Sequence, residues 1–464
     1  MGRRAATLIL ALALAGPAAA QPAKEHADFV AELGGVYSGP QARYVSQVGQ
    51  RMAQAAGIRQ NCSFTVLDTE VVNAFTAPPG CYVYVTRGLL SIMNSEAELA
   101  AVLGHELGHV AASHAQRQQN AEALSGLAAS LIGAATKSDL AGAVAGRVAK
   151  LGTLSYSRSQ EYEADTLAIR YLPRAGYAPD GLTRVLGDLQ REDAYTTRVR
   201  GKTGGTPVWA RTHPLTTDRI ARAQAAATAS TAGGPLLIEE TAYLLAVDGM
   251  PYDDDPVQGL VRGGAYIHPA LRIRFDAPRG FAMANEPEAV RVTGPDGMLA
   301  EFSGGTATAR QLPGYAEKAL RAIIRQGRSE MGGARRVAIN GMEAVVLEAR
   351  AFSGGRPVDL ICVAYNLGGD ETYHFVAMAP AGRMTAFQPM FDSFRRLPER
   401  EAASVAGRRI AVATARNGDT AESLSARMTG DGDRLALFRM LNGLEPGEAV
   451  RPGRQVKLVV DGRP

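Results

Sequence analysis

The stretch His105-Glu106-Leu107-Gly108-His109 constrains this chain more than any other. Histidines four residues apart on a helix lie one above the other and can grip a single metal ion. The intervening Glu106 turns toward the same ion, where it can take a proton from a water molecule; this H-E-x-x-H spacing is the mark of a zinc hydrolase. The helix itself is well signalled. Ser95 and Glu98 have the spacing of an N-terminal capping box, and Leu99, Val102, Leu103, Leu107 and Val110 form an apolar stripe.

Two histidines do not complete a zinc site, which takes three protein ligands and a water, so the fold must bring a third ligand from elsewhere. His114 follows His109 by five residues, roughly 140° around a continuous helix. It is expected to miss the ion, and it also misses the longer pattern that puts a third histidine six residues on. A second helical stretch offers a carboxylate. Glu161 and Asp165 share a face at i and i+4, with Glu163 roughly opposite. Glu161 is the better-placed candidate for a third ligand, with Asp165 suited to fix a ligand histidine through its other ring nitrogen, but taken alone such a charge run reads as a solvated helix face.

Together these residues resemble the HtpX-like and CAAX-prenyl-endopeptidase family of zinc metallopeptidases, in particular its periplasmic BepA-like branch. There H-E-x-x-H is followed by an E-x-x-x-D helix often preceded by Ser-Arg, as Ser157-Arg158 precede Glu161 here. The likeness extends to Val72-Asn73-Ala74-Phe75 and to Tyr82–Leu90, which look like the family's active-site edge strands. It implies His105, His109 and Glu161 as ligands of Zn2+, Glu106 as general base, and Asn73, Ala74 and Phe75 as the strand that holds an extended substrate. His213, in a His213-Pro214 segment with Arg219 one position later than the family's spacing, is implied to approach the zinc as a plug or to stabilise an oxyanion, with Arg219 assisting. A helix-capping loop with a surface histidine is the plainer alternative.

A chain of 464 residues exceeds one ordinary hydrophobic core. The expected fold class is α+β multidomain: a mainly helical zincin domain of gluzincin type with a small edge sheet over residues 27–230, an α+β module over 235–398, and a small βααβ module over 408–461. Linkers are expected at Thr228–Pro235 and Pro398–Gly407. In the middle region strands are read at Arg272–Phe275, Met298–Phe302, Ala344–Glu348 and His374–Met378, with one helix from about Tyr315 to Met331. This region weakly resembles a PsbP-like fold and shows no catalytic cluster. The tail, with turns at Gly418-Asp419 and Pro452-Gly453, resembles a LysM module, which implies binding of peptidoglycan.

Residues 1–20 read as a signal peptide cleaved near Ala20, with basic Arg3-Arg4, an apolar run and Ala18-Ala19-Ala20. The apolar run is too short to span a bilayer. Export implies a periplasmic location and lets Cys62 and Cys81 pair, although two buried thiols remain the other reading; Cys362 is expected in a core. The stretch Ala121–Ala149 is broken by charges and reads as a buried helical hairpin, with peripheral membrane contact left open. A formal net charge of +4, two of it in the leader, is too small to argue for nucleic acid. The implied function is a periplasmic zinc endopeptidase acting on misfolded or misassembled envelope proteins. The alternative is a wall-associated chaperone or scaffold whose zinc site is gated or inactive.

Overall fold

The computed structural model describes residues 30–31, 33–78, 80–118, 156–200, 209, 212–230, 236–286, 289–324, 329–353, 356–430 and 432–462. The leader with its cleavage site, the Ala121–Ala149 stretch and most of the linker after Ser230 lie outside them.

The first unit is built on α1 (Pro40–Ala56), β1 (Cys62–Leu67), β2 (Ala74–Ala77), β3 (Cys81–Thr86), α2 (Arg87–Ile92), α3 (Glu96–Ala111), α4 (Arg158–Arg174), α5 (Gly181–Arg200), α6 (Thr217–Ala229) and α7 (Glu240–Val247). The three strands form a sheet in the order β1-β3-β2, with β1 parallel and β2 antiparallel to β3, so β2 is an edge. Cys62 and Cys81 face each other in that register and are joined by a disulfide. Side-chain hydroxyls cap the helices that matter most: Thr86 for α2, Ser95 for α3, Ser157 for α4 and Thr216 for α6. The Glu98 carboxylate of the expected capping box reaches the N–H of Asn94 rather than that of Ser95.

Helices α3 and α4 pack closely because small residues meet at their seam. A Cβ placed on Gly108 would lie 3.0 Å from the Ala164 carbonyl oxygen, and one on Gly104 would lie 3.5 Å from the Ala168 Cα. The glycine inside the metal motif therefore serves packing, since its bare Cα lets the helix that carries Glu161 come near enough to matter.

The chain then passes through β4 (Pro251–Tyr252) into a strand-rich middle unit: β5 (Leu260–Arg262), β6 (Ala265–His268), β7 (Ile273–Asp276), β8 (Ala282–Glu286), β9 (Ala289–Thr293), β10 (Leu299–Thr306), α8 (Leu312–Ile323), β11 (Glu330–Met331), β12 (Arg335–Ile339), β13 (Met342–Ser353), β14 (Arg356–Gly368), β15 (Glu371–Pro380), α9 (Gln388–Ser393), β16 (Arg395–Arg396) and α10 (Glu399–Ala403). Among the described residues one sheet runs β11-β13-β14-β15-β10-β9-β8, with β12 also on β13, and a smaller one runs β16-β7-β6-β5. The long sheet buries both faces. One carries Leu312, Ala316 and Leu320 of α8 together with Cys362; the other carries the aromatic cluster of Phe275, Phe302, Phe375, Phe391 and Phe394. Burial pushes the Cys362 thiol up to about 12, the behaviour of a core residue.

The expected strands are present, but the helix is displaced. It starts at Leu312, with Pro313 in the first turn where no N–H is needed, and it ends at Ile323. Glu330-Met331, read as its end, pairs with Arg350 and Ala349 as a strand. The stretch read as the second linker likewise contains α10, whose Glu401 accepts two hydrogen bonds from Arg395 at 2.7 and 3.1 Å.

The tail forms β17 (Arg408–Thr414), α11 (Ala421–Ser425), α12 (Arg434–Leu441) and β18 (Gln455–Asp461), with β17 and β18 antiparallel. It does not stand apart from the first unit. β4 adds to β17, and Ile410, Leu424, Phe438, Leu441, Val456 and Leu458 share one apolar core with Met52, Leu99, Leu103 and Leu172. Tyr243, Val247 and Met250, expected in the middle module, belong to that same core. No helix among the described residues is long and apolar enough to cross a membrane.

Candidate metal centre

His105, Glu106 and His109 lie on successive turns of α3, all buried. Helix α4 brings Glu161 across the glycine seam. His105 Nε2 and His109 Nε2 are 3.0 Å apart, and the Glu161 oxygens lie 3.5 and 3.4 Å from them. The loop before α6 adds a fourth donor: His213 Nδ1 is 3.4 Å from His105 Nε2 and 3.1 Å from Glu161 Oε1. One ligand atom from each of these four residues can be chosen so that all lie within 4.8 Å of one another.

This donor set fits zinc. Bonds of about 2.0–2.1 Å in a tetrahedron put neighbouring ligand atoms roughly 3.3–3.4 Å apart, and the spacings here bracket that value. Three imidazoles and a carboxylate are also ordinary zinc ligands. The remaining atoms of the ligands are occupied. His105 Nδ1 meets Asp165 Oδ1 at 2.9 Å. Arg219 holds both acids, at 2.7 Å to Asp165 Oδ2 and 2.8 Å to Glu161 Oε2. It thus lies under the centre, where it braces the two carboxylates.

Glu106 differs from its neighbours. One oxygen is 3.6 Å from His213 Nε2, while Oε2 is buried with no hydrogen-bond partner. Burial pushes its carboxyl up, against the pull of His213 and His105. Glu161 is the reverse case: burial opposes its ionisation, but His213, His105 and His109 together hold it well below the ordinary carboxylate range. The same helix pair thus carries one acid held well below the ordinary carboxylate range and one pushed above it.

The edge strand is in place, with one refinement. Ala74 O accepts from His213 Nε2 at 3.3 Å, and the buried Asn73 accepts at Oδ1 from Thr212. The Phe75 side chain instead points into a separate small core, stacked on Tyr84 at 4.9 Å between ring centres. Beside Glu106 lies a recess of about 50 Å3 walled by Leu89, Val102, Leu182, Leu186 and Trp209.

Two further residues join the site that helical spacing does not predict. His114 stays outside the four-donor cluster, as its spacing suggested, but sits directly behind it, with its Nδ1 2.8 Å from His109 Nδ1. The angle of a continuous helix does not apply there, because α3 stops at Ala111 and Ser113 takes a left-handed conformation (φ 52°), which turns the chain back. Tyr156 stacks on the His109 ring at 4.0 Å; no periodicity could have flagged it, since it precedes its helix.

Residues 40–227 match the profile of Peptidase family M48. The chain is 32% identical over 191 residues to Metalloprotease YcaL of Escherichia coli (strain K12), which covers 38% of this chain and 68% of that protein. It is 31% identical over 193 residues to a putative beta-barrel assembly-enhancing protease of Vibrio cholerae, covering 38% of this chain and 37% of that one. Thus it spans less than two fifths of the length of that relative. Cyanobacterial PsbP from Synechocystis sp. PCC 6803 is similar to 28% of the chain at 14% identity, with 91% of that structure covered, but a TM-score of 0.23 carries no argument. With the profile match lying over the H-E-x-x-H helix and its Glu161 partner, and with YcaL matched over two thirds of its length, the chain belongs to peptidase family M48, a family of zinc metallopeptidases.

Proposed function

We propose that this chain is an exported, periplasmic zinc endopeptidase that hydrolyses peptide bonds in misfolded or misassembled envelope proteins. His105, His109 and Glu161 are its metal ligands, Glu106 its general base, and Asp165 the group that orients His105. A zinc ion held there supplies a Lewis acid that makes water nucleophilic near neutral pH. Glu106 takes the proton of the attacking water at Oε2 and passes it to the leaving amine nitrogen. An extended substrate adds to the β2 edge, its N–H groups meeting acceptors such as Ala74 O. The recess beside Glu106 receives one apolar side chain. The observation that carries this reading is the buried, unpartnered Glu106 Oε2 beside a four-donor cluster. The likeness to the Vibrio cholerae protein named a putative beta-barrel assembly-enhancing protease supports the substrate class.

His213 favours a second reading. As a fourth donor it takes the place an attacking water needs, and its bond to Ala74 O occupies the strand edge. The chain would then be gated, or would serve as a wall-associated chaperone or scaffold. The β-α-α-β order of residues 408–461 supports a LysM-like contact with peptidoglycan, which sedimentation with purified peptidoglycan would test.

Wild type, Glu106→Gln and His213→Ala, each loaded with zinc, separate the readings on unfolded casein. The protease reading expects cleavage by wild type or His213→Ala, and a loss of about 10²–10⁴-fold in Glu106→Gln. Equal inactivity in all three, with zinc bound, would rule it out in favour of the scaffold.

A further inference from the structure

His109 Nε2 faces the centre it shares with His105 and Glu161. A neutral imidazole that gives one nitrogen lone pair to a metal carries its single proton on the other nitrogen. That proton, on Nδ1, points at His114 Nδ1 2.8 Å away, so His114 must be the acceptor. His114 is fully buried, and its own proton then lies on Nε2, 3.1 Å from Glu163 Oε2. The same oxygen accepts from Arg117 Nη2 at 2.8 Å. From His109 through His114 to Glu163 each link has one donor and one acceptor, both running outward, and Arg117 donates to Glu163 from the other side.

The two ligand histidines are thus held by different devices. Behind His105 stands a carboxylate in direct contact, Asp165. Among the described residues no carboxylate is so close behind His109: Glu163 sits at the surface with 47% of its side chain exposed, and an imidazole bridges the gap. The stacked Tyr156 ring limits tilting of His109 while His114 sets its rotation and tautomer.

We propose that His114 is a positioning residue that fixes the tautomer and ring orientation of His109 for metal binding, anchored from its far side by Glu163 and Arg117. This rests on the zinc-peptidase reading above. It is tested by zinc affinity, measured by competition with a chromophoric chelator, in wild type, His114→Leu, His114→Gln and Glu163→Leu. Loss of an outer partner of this kind weakens metal binding by about 10–100-fold, and His114→Leu is expected in that range. A glutamine amide can accept from His109 through its oxygen and donate to Glu163 through its nitrogen, so His114→Gln is expected to recover most of the loss. Glu163→Leu should weaken binding less than His114→Leu.

A merely structural role would lower the melting temperature of both His114 variants without separating their zinc affinities. Wild-type affinity in His114→Leu, or equal loss in the leucine and glutamine variants, overturns the proposal. If His114→Leu does not fold, Glu163→Leu decides, because its side chain is half exposed; unchanged affinity there overturns the proposal too. Failure of the underlying reading looks different: wild type would take up no stoichiometric zinc, or His105→Ala would bind it as well as wild type.

Discussion

Replacing Lys457 with methionine should destabilise the peptidase unit even though the residue lies near the far end of the chain. Lys457 is on β18, wholly buried, and its ammonium donates to the carbonyls of Ser91 and Met93 at 2.8 and 2.5 Å. Those carbonyls end α2 and lead into the N-terminus of α3, the helix that carries His105 and Glu106. The carboxyl groups of Asp188 and Glu98 lie near; Glu98 is pushed well up by burial and by Asp188 beside it. Methionine keeps the apolar stem but removes both bonds and takes a cation from beside Glu98, while Asp188 keeps Arg191 at 2.7 Å. Removing one partner of a buried charged group costs about 3–5 kcal/mol. Burial already lowers Lys457 to about 7, so part of its charge is absent at neutral pH, and we expect a cost near ~2–3 kcal/mol. The chain has a single tryptophan, Trp209, buried beside the metal centre. Urea unfolding followed by its fluorescence, with zinc held constant, therefore reports the peptidase unit alone. A change below about 0.5 kcal/mol, within the usual range for an uninvolved surface position, would show that the tail and the peptidase do not share a core energetically.

Gly108→Val should force α3 from α4, because even a Cβ would meet the Ala164 carbonyl at 3.0 Å. We expect a loss of about 1–3 kcal/mol together with weaker zinc binding; wild-type zinc content and melting temperature would refute the close-seam reading. In the middle unit, burial lowers His374 to about 4, with Tyr315 Oη 2.8 Å from its Nδ1. The unfolded chain takes a proton near 6.5 and the folded one only near 4. Stability is therefore full above pH 6.5 and falls as the pH drops, by about 2 kcal/mol at pH 5. Denaturant unfolding followed by circular dichroism should show this slope in wild type and lose it in His374→Gln; an equal slope in both would refute it.

Local features were legible in the sequence wherever neighbouring residues sufficed to determine them. The H-E-x-x-H spacing placed His105 and His109 on one helix face, and the E-x-x-x-D spacing placed Glu161 and Asp165 on another, because helical periodicity turns spacing into direction. The β-α-α-β order of the tail followed from its likeness to a LysM module, with which the turn residues agree, and short apolar runs marked the middle strands. Where the chain departs from a regular element spacing said less: it kept His114 off the donor cluster but did not show that the turn after Ala111 sets it behind His109, and it misled at the early end of α8. Only tertiary packing decided the rest. The close approach of α3 and α4 at Gly108, the placement of His213 in the donor set, Arg219 beneath two acids, and Lys457 reaching the start of the catalytic helix all join residues 50 to more than 300 positions apart. Periodicity fixes which way a side chain points from its own axis, and only burial of the shared core fixes what it meets.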